Sequence, residues 1–427
     1  MLTQRRIALF WLPLAATWVM MAVEGPFVAA LIARLANATE NLAAFGVALA
    51  FAMLVEAPII MIMSAATALV SGRASFVALR RFTAVLNAAV TGWMGLLLVP
   101  TVFRFVAQDV VALPEGVARL AHGALVVMLP WPAAIGYRRF YQGVLIRFNQ
   151  TRRVALGTVV RLVSMALAGG GLFLLSPLPG ATVGGAALAV GVVAEAVASR
   201  IMAAGAVRTL RAGPDGESLS QGEIGRFYLP LALTSVLTLG VNPVVTFFVS
   251  HARLALPSLA VLPVVGTLGF IFRAPAIAFQ EVGIALLEES ADGFAALRSF
   301  AVRLGVTLTV ALGLLAGTPL AGVWLTGVAG LEPSLASFSV VPLGLLVLMP
   351  LVEAVLALQR ATLVVRRRTR LVTVSTLLEV AVLTLTLTLS VFGLSAVGAV
   401  AAAVAIVAGR AAASLFLVPA TGLVRRF

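Results

Sequence analysis

The chain has 427 residues, 61% of them hydrophobic and 11% charged, with a mean hydropathy of +1.11. Soluble domains carry about 25% charged residues, so a soluble globular fold is excluded. All thirty basic residues are arginine, against sixteen acidic ones, for a net charge of +14, and there is no cysteine, which excludes disulfide scaffolds, thiolate catalysis and cysteine-ligated metals. His122 and His251 are too few and too far apart for a histidine metal centre, so no metal site is expected. The arginines fall in short clusters between apolar runs, not along one basic stripe, and nucleic acid is not an expected partner.

A membrane-crossing helix needs about 20 mostly apolar residues. Twelve such runs are predicted, near residues 7–33, 42–70, 82–103, 120–146, 154–176, 181–206, 227–250, 257–287, 299–325, 335–362, 371–392 and 395–421. Ser176-Pro-Leu-Pro-Gly180 and Phe392-Gly-Leu-Ser395 supply turns between neighbouring runs. Transmembrane β-strands are about ten alternating residues long, and these runs are longer and uniformly apolar. The first run lacks a plausible cleavage site, so it is expected to stay in the membrane. Nineteen arginines fall in connections on the side of the N-terminus, including Arg367, Arg425 and Arg426, and four on the other. This asymmetry predicts that both termini are cytoplasmic. The chain is therefore read as a multi-pass protein of a bacterial inner membrane, with the lipid bilayer as its partner.

The sequence repeats. At an offset of 217, Pro13-Leu-Ala15 match Pro230-Leu-Ala232, Pro26 matches Pro243, and Ala57-Pro58 match Ala274-Pro275; at 218, Pro132 matches Pro350 and Thr151-Arg152 match Thr369-Arg370. Six spans per copy make the copies parallel. The expected organisation is an N-lobe over 1–207, a cytoplasmic linker over 208–224 and a C-lobe over 225–427, flanking a central cleft that takes a small molecule by alternating access.

The residues that carry the repeat also carry a resemblance. Phe10-Trp-Leu-Pro-Leu14 with Pro26, Leu42-Ala-Ala-Phe-Gly46 before Ala57-Pro58, Pro230-Leu-Ala-Leu233 before Pro243-Val-Val-Thr-Phe-Phe-Val-Ser250, and Val340-Val-Pro-Leu343 resemble, in order and spacing, the MATE-like (MOP) exporter superfamily. Within it they are most similar to the progressive ankylosis (ANK) membrane proteins. The chain departs from the animal members in its short C-terminus and outer loops, and not all of its helical charges correspond. The resemblance implies an all-α fold of two six-helix bundles in a V and a monomeric exporter. For the ANK-like members it implies polyanions such as pyrophosphate, citrate or nucleotides. Cation-coupled multidrug efflux and lipid-precursor flipping are the alternatives that other members suggest.

Charges inside a bilayer cost at least about 2.5 kcal/mol each, so they face a cavity or a partner. Seven arginines (Arg138, Arg139, Arg161, Arg273, Arg303, Arg360, Arg410) and six glutamates (Glu24, Glu56, Glu195, Glu281, Glu353, Glu379) fall in the predicted spans. The near balance leaves the sign of a binding site open. Glu24 and Asn242 lie beside Pro26 and Pro243, the expected helix bends. Glu56 and Arg273 are repeat mates of opposite sign, read as a gating pair or as an anion ligand with a protonatable partner; local pairing is the alternative. Arg138 and Arg139 suit phosphate or carboxylate, unless they only reach toward the cytoplasmic face. Gln280 lies low in the same run as Arg273. Glu24, Glu56 and Glu353 are the candidates for protonation, with a proton or sodium as coupling ion and no other cofactor. Ala168-Gly-Gly-Gly171 is read as a close helix contact. No nucleophile–base pair or cofactor loop supports an enzyme.

Overall fold

A computed structural model of the chain describes residues 2–148, 150–215, 219–289, 293–366 and 368–422. Arg367, Arg425, Arg426 and part of the expected linker (216–218) lie outside the described residues. The protein is all-α. Among the described residues, ten helices are long and apolar enough to cross a membrane, and two bent pairs raise the number to twelve. We number these spans α1 (Gln4–Ala33), α2 (Ala38–Glu56, resuming as Ile62–Leu69), α3 (Arg73–Leu97 with Pro100–Val110, bent by 72°), α4 (Glu115–Val127 with Trp131–Arg147, bent by 41°), α5 (Thr151–Leu175), α6 (Gly180–Met202), α7 (Gln221–Ser250), α8 (Ala255–Leu287), α9 (Phe294–Gly317), α10 (Pro333–Val365), α11 (Arg370–Gly393) and α12 (Gly398–Thr421). Leu167, Leu174, Leu175 and Leu394 are each more than 70% exposed. Such apolar surface is costly in water and expected against lipid.

The helices fall into two compact units, one of residues 1–34 with 248–427, the other of residues 35–247. This partition differs from the linear division at 207 and 225. By contacts, α1 groups with α8–α12, and most of α7 groups with α2–α6.

The repeat is visible in the backbone of each unit. Positive φ occurs at Asn37 (53°) and Leu254 (55°), which are 217 apart, and at Ala112 (58°) and Gly330 (75°), which are 218 apart. The π-helical turns Phe105–Val110 and Val323–Val328 are also 218 apart. In α1 the regular helix Gln4–Ala22 is interrupted at Val23; in α7 the helix Gln221–Leu239 is interrupted at Gly240. Pro26 and Pro243 explain both positions. A proline has no N–H for the carbonyl four residues back, and its ring crowds that carbonyl, here Ala22 and Leu239.

Close helix approaches recur with exchanged residues. Gly143 of α4 lies against Ala66 and the Met63 carbonyl of α2, where a Cβ would come within 2.6 and 2.5 Å; Gly283 of α8 lies against Ala361 of α10, where a Cβ would meet its Cβ at 2.8 Å. The small partner has moved from the fourth helix to the second, and the contact is kept. Gly191 on the α5 backbone and Gly409 on the α11 backbone are a further mated pair, with carbonyls of Arg161 and Glu379 at 3.0 and 2.8 Å from the added Cβ. Within the expected contact at Ala168–Gly171, Gly169 is buried, whereas a Cβ at Gly170 or Gly171 would meet nothing within 4 Å. Gly143→Val is therefore expected to lower stability by about 1–3 kcal/mol, because backbone cannot yield. Gly170→Ala is expected to be neutral or stabilising. Melting of the detergent-purified variants measures both.

Candidate functional site

Each unit buries one cluster of five charges, and the clusters are built on repeat-related helices. In the unit of residues 35–247 the centre is Glu195 of α6, fully buried. Its carboxylate pairs with Arg138 of α4, accepts from Gln142 Nε2 at 2.9 Å and lies 3.9 Å from Arg161 Nη1 of α5. Arg138 and Gln142 share a face because four residues make about one helical turn. Gly191, one turn from Glu195, lets α6 approach the α5 backbone closely. Glu56, where α2 breaks, accepts from Trp131 Nε1 of α4, and it interacts electrostatically with Arg138, Arg139 and Arg161. Arg139 is half-buried. Its Nη1 lies 3.6 Å from Met63 Sδ, its Nε has no hydrogen-bond partner, and no carboxylate of the described residues lies within ion-pair distance of it.

In the unit of residues 1–34 and 248–427 the charges form a ladder. Arg273 of α8 gives both Nη2 (2.8 Å) and Nε (3.2 Å) to Glu353 Oε2 of α10. Arg410 of α12 stands 3.8 Å from Glu353 and donates to Glu379 of α11 at 3.1 and 3.3 Å. Arg360 of α10 completes it, 3.5 Å from Glu379. Gln359 is occupied elsewhere, bonding the Ser414 carbonyl and hydroxyl at 2.9 and 3.0 Å and so tying α10 to α12.

The clusters share a composition and exchange signs. Each has three arginines and two glutamates. Glu56 is the mate of Arg273 at offset 217, and Arg161 the mate of Glu379 at 218. Each therefore carries one more positive than negative charge. In a medium of low dielectric that excess favours a bound anion.

The structure sorts the sequence candidates accordingly. Glu56 and Arg273 each have a partner inside their own unit, Trp131 and Glu353. Arg138 is committed to Glu195, and Glu353 is an ion-paired carboxylate between two arginines. Arg139 is the guanidinium with the least local compensation. Asn242 is exposed, its Nδ2 3.5 Å from Met53 Sδ. Gln280 is half-buried two turns beyond Arg273 and takes no part in the ladder. Glu24 is buried beside the α1 interruption. Glu281 and Arg303 are exposed. Glu195, Arg161, Glu379, Arg360 and Arg410 carry the clusters but were not singled out as site residues by sequence reasoning. The opposite signs of Arg161 and Glu379 were the available signal. Two cavities, of about 430 and 540 Å³, open near Asn37 and near Arg73, and neither is lined by cluster residues.

No protein-family model and no curated protein sequence matches the chain. Solved structures do. A lipid II flippase MurJ in an inward closed conformation is 14% identical, with a TM-score of 0.73, covering 96% of this chain and 87% of that one. An inward-facing multidrug resistance MATE family transporter of the MOP superfamily is 15% identical, with a TM-score of 0.67, covering 95% and 94%. A MOP superfamily transporter from Pyrococcus furiosus, described by the reverse polarity of its binding pocket, is 13% identical, with a TM-score of 0.58, covering 96% and 95%. The chain has the MATE-like fold over nearly its whole length.

Proposed function

We propose that this MATE-like membrane protein is a secondary-active exporter of small organic or phosphate-bearing anions. The observation that carries the reading is the arginine excess in both buried clusters. A carrier of cationic drugs needs carboxylates free to receive a cation. Here each cluster carboxylate already faces an arginine or, in Glu56, the Trp131 N–H. Arg139 and Arg273 are the substrate ligands: Arg139 has no carboxylate partner among the described residues, and Arg273, 20% exposed against 5% for Arg138, shares Glu353 with Arg410. The ANK-like pattern of the first two spans and the seventh supports the same class. The arginine asymmetry supports cytoplasmic termini in a bacterial inner membrane, and Glu24 is the carboxylate through which a proton or sodium ion couples to transport. A lipid-linked pyrophosphate presents the same headgroup chemistry, and a lipid II flippase is among the proteins of similar fold.

Purified protein in liposomes loaded with pyrophosphate or citrate tests this. Efflux at least about tenfold above empty liposomes is expected. Arg139→Gln is expected to reduce it at least tenfold, the scale of a lost charge-assisted contact. Transport of cationic dyes in place of the anions would replace this reading with drug efflux. Scrambling of a lipid-linked pyrophosphate without efflux of the free anions would replace it with flipping.

A further inference from the structure

Four of the hydrogen bonds between the first helix of one repeat and helices of the other form two repeat-related pairs. In one unit Gln4 Nε2 donates to the Ala296 carbonyl of α9 at 2.9 Å, and Trp11 Nε1 to the Pro275 carbonyl of α8 at 2.9 Å. In the other, Gln221 Nε2 donates to the Ala78 carbonyl of α3 at 3.0 Å, and the Tyr228 hydroxyl to the Pro58 carbonyl of α2 at 2.6 Å. The donors Gln4 and Gln221, and Trp11 and Tyr228, are 217 apart. The acceptors Pro58 and Pro275 are 217 apart, and Ala78 and Ala296 are 218 apart. The indole and the phenol differ in shape but present a polar hydrogen at the same place. Both halves of the chain thus keep the same pair of contacts.

The acceptors are not arbitrary carbonyls. Pro58 and Pro275 each follow a cluster charge, Glu56 and Arg273, by two residues. At Pro58 the helix is broken, and Ile62 N–H bonds to Ile59 instead of to Pro58. The freed Pro58 carbonyl takes the Tyr228 hydroxyl. Tyr228 therefore closes the gap in α2. In α8 the helix runs on through Pro275, and Trp11 is held from its other side by an edge-on contact with Phe300 of α9 at 5.7 Å.

We infer that Trp11 and Tyr228, with Gln4 and Gln221, are latches: positioning residues that hold α1 on α8 and α9, and α7 on α2 and α3, in one phase of the cycle and let go in another. Resting on the exporter reading, the inference adds how the bending helices govern the clusters. While a latch is closed, the backbone two residues from Arg273 or Glu56 is fixed; when it opens, that charge gains freedom to turn. Because the latches are mates, one cycle opens both.

The absence of native cysteine permits a direct test. A Cβ built on Gly293 lies 3.8 Å from Leu2 Cβ, a separation suited to a disulfide. Leu2→Cys with Gly293→Cys is expected to cross-link in nanodiscs under mild oxidation. Trp11→Phe, and separately Tyr228→Phe, are each expected to slow that cross-linking by about two- to tenfold, the worth of one neutral hydrogen bond. Tyr228→Phe removes one oxygen from the other unit, so its effect on the Leu2–Gly293 pair reports a shared cycle that a local structural role would not produce. The inference is overturned if cross-linking is unchanged in both variants, or if Trp11→Phe alone slows it. No substrate is needed, so failure of pyrophosphate efflux would count against the anion reading and leave the cross-linking result intact.

Discussion

Replacing Glu195 by leucine is expected to leave little monodisperse protein in detergent. Arg138 and Arg161 share this carboxylate, and Gln142 donates to it. The side chain has no exposure at all, so water cannot take its place. Removing one member of a buried ion pair costs about 3–5 kcal/mol, because the partner charge stays behind. That is a large part of the roughly 5–15 kcal/mol that holds a typical domain together. Size-exclusion profiles and melting of the purified variant measure the loss. Removing one partner together with the hub separates the contributions: Arg138→Leu with Glu195→Leu is expected to recover only part of the yield, because Arg161 still loses its carboxylate. A single variant that melts within about 2 °C of the parent, less than about 1 kcal/mol on the usual scale, would show that Glu195 is not the keystone of its cluster.

Arg273→Gln is expected to have the opposite signature, an intact fold and lost transport. Glu353 keeps Arg410 at 3.8 Å when Arg273 is neutralised, so no carboxylate is stranded. The Arg273 side chain is 20% exposed, against 5% for Arg138, which leaves it within reach of a solute. Loss of a fully engaged anion contact is worth about 2–5 kcal/mol, so pyrophosphate efflux should fall at least about thirtyfold while melting stays close to the parent. Arg273→Lys should restore only part of it, because an ammonium cannot present two parallel donors. Parent-like efflux from Arg273→Gln would move the substrate contact elsewhere, with Arg139 the next residue to neutralise.

The two variants differ because clusters of equal composition are wired differently. Glu195 gathers its arginines around one carboxylate. In the ladder, Glu353 and Glu379 alternate with three arginines, and Arg410 touches both. Loss of a hub strands its partners, whereas loss of an end rung leaves the rest paired.

Much was legible before the fold. Apolar runs of about twenty residues or more have one stable home, and a helix in lipid satisfies its own backbone, so class and span number follow from composition. The 217–218 offset marked Pro26 with Pro243 and Glu56 with Arg273. The interruptions at Val23 and Gly240 are local consequences of the prolines. The Arg138–Arg139 stretch was visible too, but its two arginines read alike in one dimension. The fold gave Arg138 to Glu195 and left Arg139 beside a methionine.

Sequence alone thus determined that the protein is helical, membrane-embedded and duplicated, and which residues are equivalent, because these depend on hydropathy, local backbone chemistry and spacing along one chain. Only the tertiary structure decided which residues are partners. Glu195 lies 57 residues from Arg138, Glu353 lies 80 from Arg273, and α1 and α7 group with the other repeat's helices. A repeat relates positions by symmetry, but a salt bridge or a latch depends on the distance between helices and the rotation of each about its axis, and these are set when the helices pack.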